Sequence, residues 1–152
     1  MGMLSRLLGL APRSRDLVAD LTDAFRFEAE QAAQLRQQAE RARYPQVADA
    51  LRALAESEER HAALLRDRLL ALGGEIPPLA PAPLVGCNQW ERAVAALRAA
   101  QQKRKRLVDL TGRWDPEEPE VVALLARIED EDRSALSTYD HIVMRSDPQA
   151  LD

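Results

Sequence analysis

The chain has 152 residues, 46% of them hydrophobic, but only six are aromatic against 26 Ala and 23 Leu. Ala and Leu head the helix propensity order, and a sheet protein would carry more β-branched and aromatic side chains, so the composition excludes an all-β fold and points to an all-α one. The net charge of −4 gives no reason to expect nucleic acid as a partner, because the phosphate backbone would be repelled. A chain of this length is expected to form a single domain, residues 1–152.

In chain order, the segment from Met1 to Leu10 is too short and too interrupted for a secretory leader or a membrane span, and reads as a frayed helix start or a short docking peptide. Prolines and glycines then fence off four breaker-poor stretches, which predict helices at about 13–43, 46–72, 88–111 and 120–146. The joints at Arg43–Gln46 and Gly112–Pro119 are short and imply antiparallel neighbours. The middle joint, 73–87, is different: it opens on Gly73-Gly74, carries four prolines, and reads as extended chain. At about 3.3 Å per residue it can run the length of a helix of about 27 residues, so the third helix can start parallel to the second, although an up-down bundle with a floppy loop would produce the same proline map. Asn88 followed by Glu91 is a capping box for that third helix. Within the joint, Cys87 is the only cysteine, so no intrachain disulfide or CxxC metal site exists and a reduced, cytoplasmic setting is expected.

Polar residues fall on the apolar seams. Leu17, Leu21, Phe25, Ala32, Leu35 and Ala39 define the inward stripe of the first helix, and Glu28 lies on it. In the second helix Leu51, Leu54, Leu65, Leu69 and Leu72 do the same, with Glu58 and His61 in the gaps. A buried, unpaired carboxylate costs several kcal/mol, and a metal ion is the economical neutraliser. The spacing of Glu58 and His61, three residues, puts both on one face a turn apart, and counting from the Tyr44-Pro45 turn brings Glu28 to a similar height.

The run LAESEERHAALLRDRLLALGG, Leu54 to Gly74, together with the preceding Glu28 and the proline map, resembles the ferritin-like superfamily, and specifically its rubrerythrin and bacterioferritin-type branch. The likeness extends over about residues 14–146 and implies a four-helix bundle of two antiparallel hairpins joined by a long crossover. The interval between Glu28 and Glu58 is also similar to that in encapsulated ferritin-like proteins, which complete their site across a dimer, so a homodimer is one expectation. The resemblance implies a carboxylate-bridged di-iron or di-manganese centre, and hence oxidation of ferrous iron by oxygen or peroxide. The rubredoxin-like cysteine module that accompanies peroxidase activity in rubrerythrins has no counterpart in a sequence with one cysteine.

Two fused hairpins imply an internal repeat. At an offset of 73 residues, Ala50, Leu51, Ala53, Glu56, Glu58, Arg60 and Ala62 recur as Ala123, Leu124, Ala126, Glu129, Glu131, Arg133 and Ala135. The same offset maps Glu28 onto Gln101 and His61 onto Ser134, so the second half-site is degenerate. The expected ligand set is therefore Glu28, Glu58, His61 and Glu131, with Gln101 as a weak neutral ligand, holding iron or alternatively manganese. Asp132 competes with Glu131 for the inward position, since Leu125, Ile128, Ala135 and Tyr139 bracket both. In the basic run Lys103 to Arg106, Lys105 is the residue that would bring an ammonium near Glu131, where a second metal would otherwise sit. Tyr139 reads as core, Trp90 and Trp114 as packing plugs, and His141 as a partner for the end of its helix. The alternative is a metal-free bundle with a structural, assembly or partner-binding role, its carboxylates paired to Lys105 or Arg104.

Overall fold

In the computed structural model, which describes residues 12–80 and 83–149, four helices form: α1 (Pro12–Arg41), α2 (Pro45–Ala71), α3 (Gln89–Trp114) and α4 (Pro119–Met144). No strand occurs among the described residues. The segment Met1–Leu10 lies outside them. Helix α1 stops at Arg41, short of the expected 43, because Pro45 holds Tyr44 in extended backbone, with φ −108° and ψ 130°. The prolines at 45 and 119 are first-turn residues of α2 and α4, where a missing N–H leaves no helical bond unmade.

Helix α3 runs through Gly112, where a stop was expected, and ends at Trp114. A mid-helix glycine costs about 1 kcal/mol, whereas burying a large aromatic side chain returns more than that. Trp114 is buried, its Nε1 donates to Asp20 Oδ2 at 2.9 Å, and the Arg13 guanidinium lies 4.0 Å above its ring. It plugs that end of the bundle, as expected.

Antiparallel pairs α1–α2 and α3–α4 are the hairpins, and α1 also packs on α3 and α2 on α4. Contacts fix the directions. Along α1, Arg13, Glu28 and Gln31 meet Glu117, Lys103 and Ala96 in turn, so α1 and α3 are antiparallel. Helix α3 is therefore parallel to α2, and the crossover must traverse the bundle. It leaves α2 through hydrogen bonds from Gly73 N to Leu70 O and from Gly74 N to Leu69 O, a paired closure that needs the positive φ of Gly73 (82°). It arrives beside the α1–α2 turn, where Arg43 N donates to Gln89 Oε1. There Asn88 Oδ1 caps Glu91 N at 2.8 Å, while the Glu91 carboxylate accepts from Cys87 N.

The core has two apolar halves. One, built on Leu17, Leu21, Phe25, Leu65, Leu69, Leu107, Trp114, Leu125 and Ile128, fills the crossover-exit end. The other, richer in alanine, contains Leu35, Leu51, Leu54, Ala93, Ala96, Ala100, Tyr139 and Ile142. Between them lies a layer of buried polar side chains.

Candidate metal centre

Each helix sends one charged group into the middle layer: Glu28 from α1, Glu58 from α2, Lys103 from α3 and Asp132 from α4, all buried, and α2 adds His61. Glu28, Glu58 and His61 meet there as their seam positions require. Helix α3 does not follow the repeat in letters. Besides Arg92, its buried positions are Ala93, Ala96, Ala100, Lys103, Leu107, Leu110 and Trp114, an alternation of three and four residues with Lys103 in phase. Each matches a buried position of α1 at an offset of 75, so the counterpart of Glu28 is Lys103. Gln101 and Lys105 are exposed on the far side, which removes Gln101 as a ligand and Lys105 as the inward ammonium. Helix α4 likewise aligns with α2 in burial at an offset of 74, making Asp132 the counterpart of Glu58 and Ala135 that of His61. Sequence identity favoured the register of 73, but on α4 none of the seven identical residues is fully buried, whereas their α2 counterparts Leu51, Glu58 and Ala62 are. The seam spacing within α3 and α4 was the signal that would have found Lys103 and decided for Asp132.

Glu131 stands outside the layer, with 43% of its side chain exposed, and its Oε2 lies 2.5 Å from His61 Nε2. Arg127 approaches the other oxygen at 3.5 Å. It is a partner of the imidazole rather than a member of the buried set. Ser134 is exposed and bonds back to Asp130 O. His141 is exposed and accepts from Arg145 Nε.

Within the layer, Lys103 Nζ contacts Glu28 Oε2 at 2.9 Å, Asp132 Oδ2 at 3.4 Å and, closest of all, Glu58 Oε2. On the other side His61 Nδ1 faces Asp132 Oδ1 at 3.3 Å and Glu28 Oε2 at 3.7 Å. Tyr139 is core, as expected, and it also reaches the site: its hydroxyl donates to Glu58 Oε1 and accepts from Gln31 Nε2, both at 3.3 Å.

These contacts set the protonation. Burial pushes the Glu58 carboxyl up, the neighbouring Glu28 adds to it, and despite Lys103 it reaches about 9. Burial acts the same way on Glu28, but hydrogen bonds from Glu58 and His61 and the Lys103 charge outweigh it and hold that carboxylate down at about 2. Burial alone would lower His61, yet Asp132, Glu28 and Glu131 raise it to about 10. Lys103 is pulled two ways, by burial downward and by Glu28, Glu58 and Asp132 upward, and the carboxylates prevail. At neutral pH the ion-free layer thus holds Glu28 as the carboxylate, Glu58 neutral, and both Lys103 and His61 charged.

The same residues fit a cation. One ligand atom from each of Glu28, Glu58, His61 and Asp132 can be chosen so that all lie within 4.8 Å of one another. Bonds of about 2.1 Å place opposite ligands of one ion about 4.2 Å apart, so a contraction of about half an ångström suffices. Glu28 Oε1 is buried without a hydrogen bond, and His61 Nδ1 and Asp132 Oδ2 are held only by the long ion-pair contacts of 3.3 and 3.4 Å, which leaves the donor set something to gain from an ion. A surface groove of about 520 Å³ between α2 and α4, edged by Arg60, Leu64, Arg127 and Glu131, has His61 in its wall.

Residues 20–83, the greater part of the first hairpin with the start of the crossover, match the family model for rubrerythrin. The match bears out the ferritin-like resemblance over the segment that carries Glu28, Glu58 and His61. No curated protein matches the chain.

Proposed function

We propose that this ferritin-like chain binds a single transition-metal ion, iron or alternatively manganese, at mid-bundle through Glu28, Glu58, His61 and Asp132. The observation that carries the reading is the convergence of four buried donor side chains, one ligand atom of each within 4.8 Å of the others, with Glu28 Oε1 left without a hydrogen bond. Carboxylate and imidazole donors suit such ions. A bound redox-active ion would supply electron exchange with oxygen or peroxide, the ferrous-oxidation chemistry that the family resemblance implies. The chain's own part is to hold and orient. Glu131 fixes the His61 ring through Nε2, leaving Nδ1 aimed inward. Tyr139 and Gln31 steady Glu58, and the two apolar halves exclude water above and below. Helices α3 and α4 of the same chain bury the ligands of the first hairpin, so the site closes without a second copy. A cytoplasmic setting goes with this reading. No helix among the described residues is long and apolar enough to cross a membrane.

Metal analysis of protein purified without a polyhistidine tag, before and after anaerobic ferrous or manganous loading, tests the proposal. About one ion per chain is expected, and less than about 0.2 overturns it. One observation favours a second reading, a metal-free structural bundle: Lys103 contacts all three buried carboxylates. Replacing Glu58 and His61 together by leucine separates the two. A structural network so replaced keeps or gains stability, whereas a metal site loses its metal-linked stabilisation.

A further inference from the structure

We infer that Lys103 is a tethered cation standing in an ion position, so that the chain takes one metal ion fewer than its buried carboxylates could hold. The inference deepens the metal-binding reading and rests on it for the number of ions.

The geometry is that of carboxylates bridging two cationic places. Glu28 Oε2 faces Lys103 Nζ at 2.9 Å and His61 Nδ1 at 3.7 Å. Asp132 turns Oδ2 toward Lys103 Nζ at 3.4 Å and Oδ1 toward His61 Nδ1 at 3.3 Å. The place beside His61 is where a ligand nitrogen is available. The other is filled by an ammonium that receives one carboxylate from each of the three other helices, and Lys103 is only 3% exposed. An ammonium offers three donors and no acceptor, so its surroundings satisfy it as they would a small ion. Charge counting agrees. Three ionised carboxylates and one ammonium leave two negative charges in the layer, which one divalent ion neutralises with His61 uncharged. Lys103 also occupies the buried position on α3 equivalent to Glu28 on α1, so a carboxylate placed there would face the layer as Glu28 does.

The test is equilibrium dialysis against Mn(II), with melting temperatures in its presence and absence, for the natural chain and for K103Q, K103E and K103R. The natural chain and K103R should take up about one ion, and K103Q and K103E about two, with a larger Mn(II)-dependent rise in melting temperature. Should K103Q or K103E fold only when Mn(II) is present, that dependence equally supports the inference. Equal uptake by the natural chain and K103Q at about one ion overturns the inference and leaves the metal reading intact. About two ions in the natural chain does the same. No uptake by any variant overturns both. No uptake by the natural chain but about one ion in K103Q supports the tethered cation while overturning the one-ion site.

Discussion

The two hairpins meet the same buried layer with opposite chemistry. α1 and α2 present two glutamates and an imidazole, while α3 and α4 answer the equivalent positions with an ammonium, a shorter carboxylate and, opposite His61, an alanine. The backbone repeat is preserved and the ligand set is not. One buried layer therefore carries opposite charges at equivalent positions, Lys103 against Glu28. Three of the four candidate donors, Glu28, Glu58 and His61, lie on the hairpin that matches the rubrerythrin family model, while Asp132 and the ammonium come from the other.

The sharpest way to break this comparison is to remove the correction alone. Lys103→Met leaves Glu28, Glu58 and Asp132 without their ammonium and should destabilise the ion-free chain by about 3–5 kcal/mol in urea unfolding. A loss below about 1 kcal/mol would show that the layer does not depend on it.

Metal affinity should be steeply pH-dependent. The ion-free chain holds Glu58 protonated up to about 9 and His61 protonated up to about 10. Both protons must leave for the two side chains to bind a cation, so affinity rises about 100-fold per pH unit through the neutral range, with about two protons released per ion. Calorimetry in buffers of different ionisation enthalpy measures the release, and a flat profile contradicts the assignment. The ion-free chain moves the other way. Because both folded values lie above the ordinary ones of 4.5 and 6.5, their stabilisation is complete at low pH, fades from those values upward, and is gone once pH passes about 9 for Glu58 and about 10 for His61. Glu28 is depressed to about 2, so its contribution is present above about 4.5 and is lost only as pH falls toward 2.

Glu131→Gln should cost about tenfold to 100-fold in metal affinity, since it weakens the hold on His61 Nε2 without removing a ligand. The smallest effect belongs to the exposed pair on α3. Gln101→Ala and Lys105→Ala should leave metal uptake unchanged and stability within about 0.5 kcal/mol, and a loss of metal from either would restore the letter-for-letter register of the repeat.

Composition, breakers and seam periodicity were enough to determine an all-α chain, its two hairpins and the long joint between them, because prolines, glycines and the 3.6-residue period act locally; that the joint crosses the bundle, rather than looping back as in an up-down bundle, was decided by packing. Glu28, Glu58 and His61 were legible for the same reason: each interrupts an apolar stripe at helical spacing. Lys103 and Asp132 are in phase with the seams of α3 and α4, but letter identity between α2 and α4 pointed to another register, and packing decided between the two. The face that a helix buries is set by its whole seam, not by the residues it shares with another helix. Glu131 beside His61 and Tyr139 beside Glu58 are likewise pairings across helices distant in sequence. The protonation of the layer follows only from assembly. A glutamate held neutral at pH 7 and an imidazole held charged exist because burial brings three carboxylates, one ammonium and one imidazole within reach of one another.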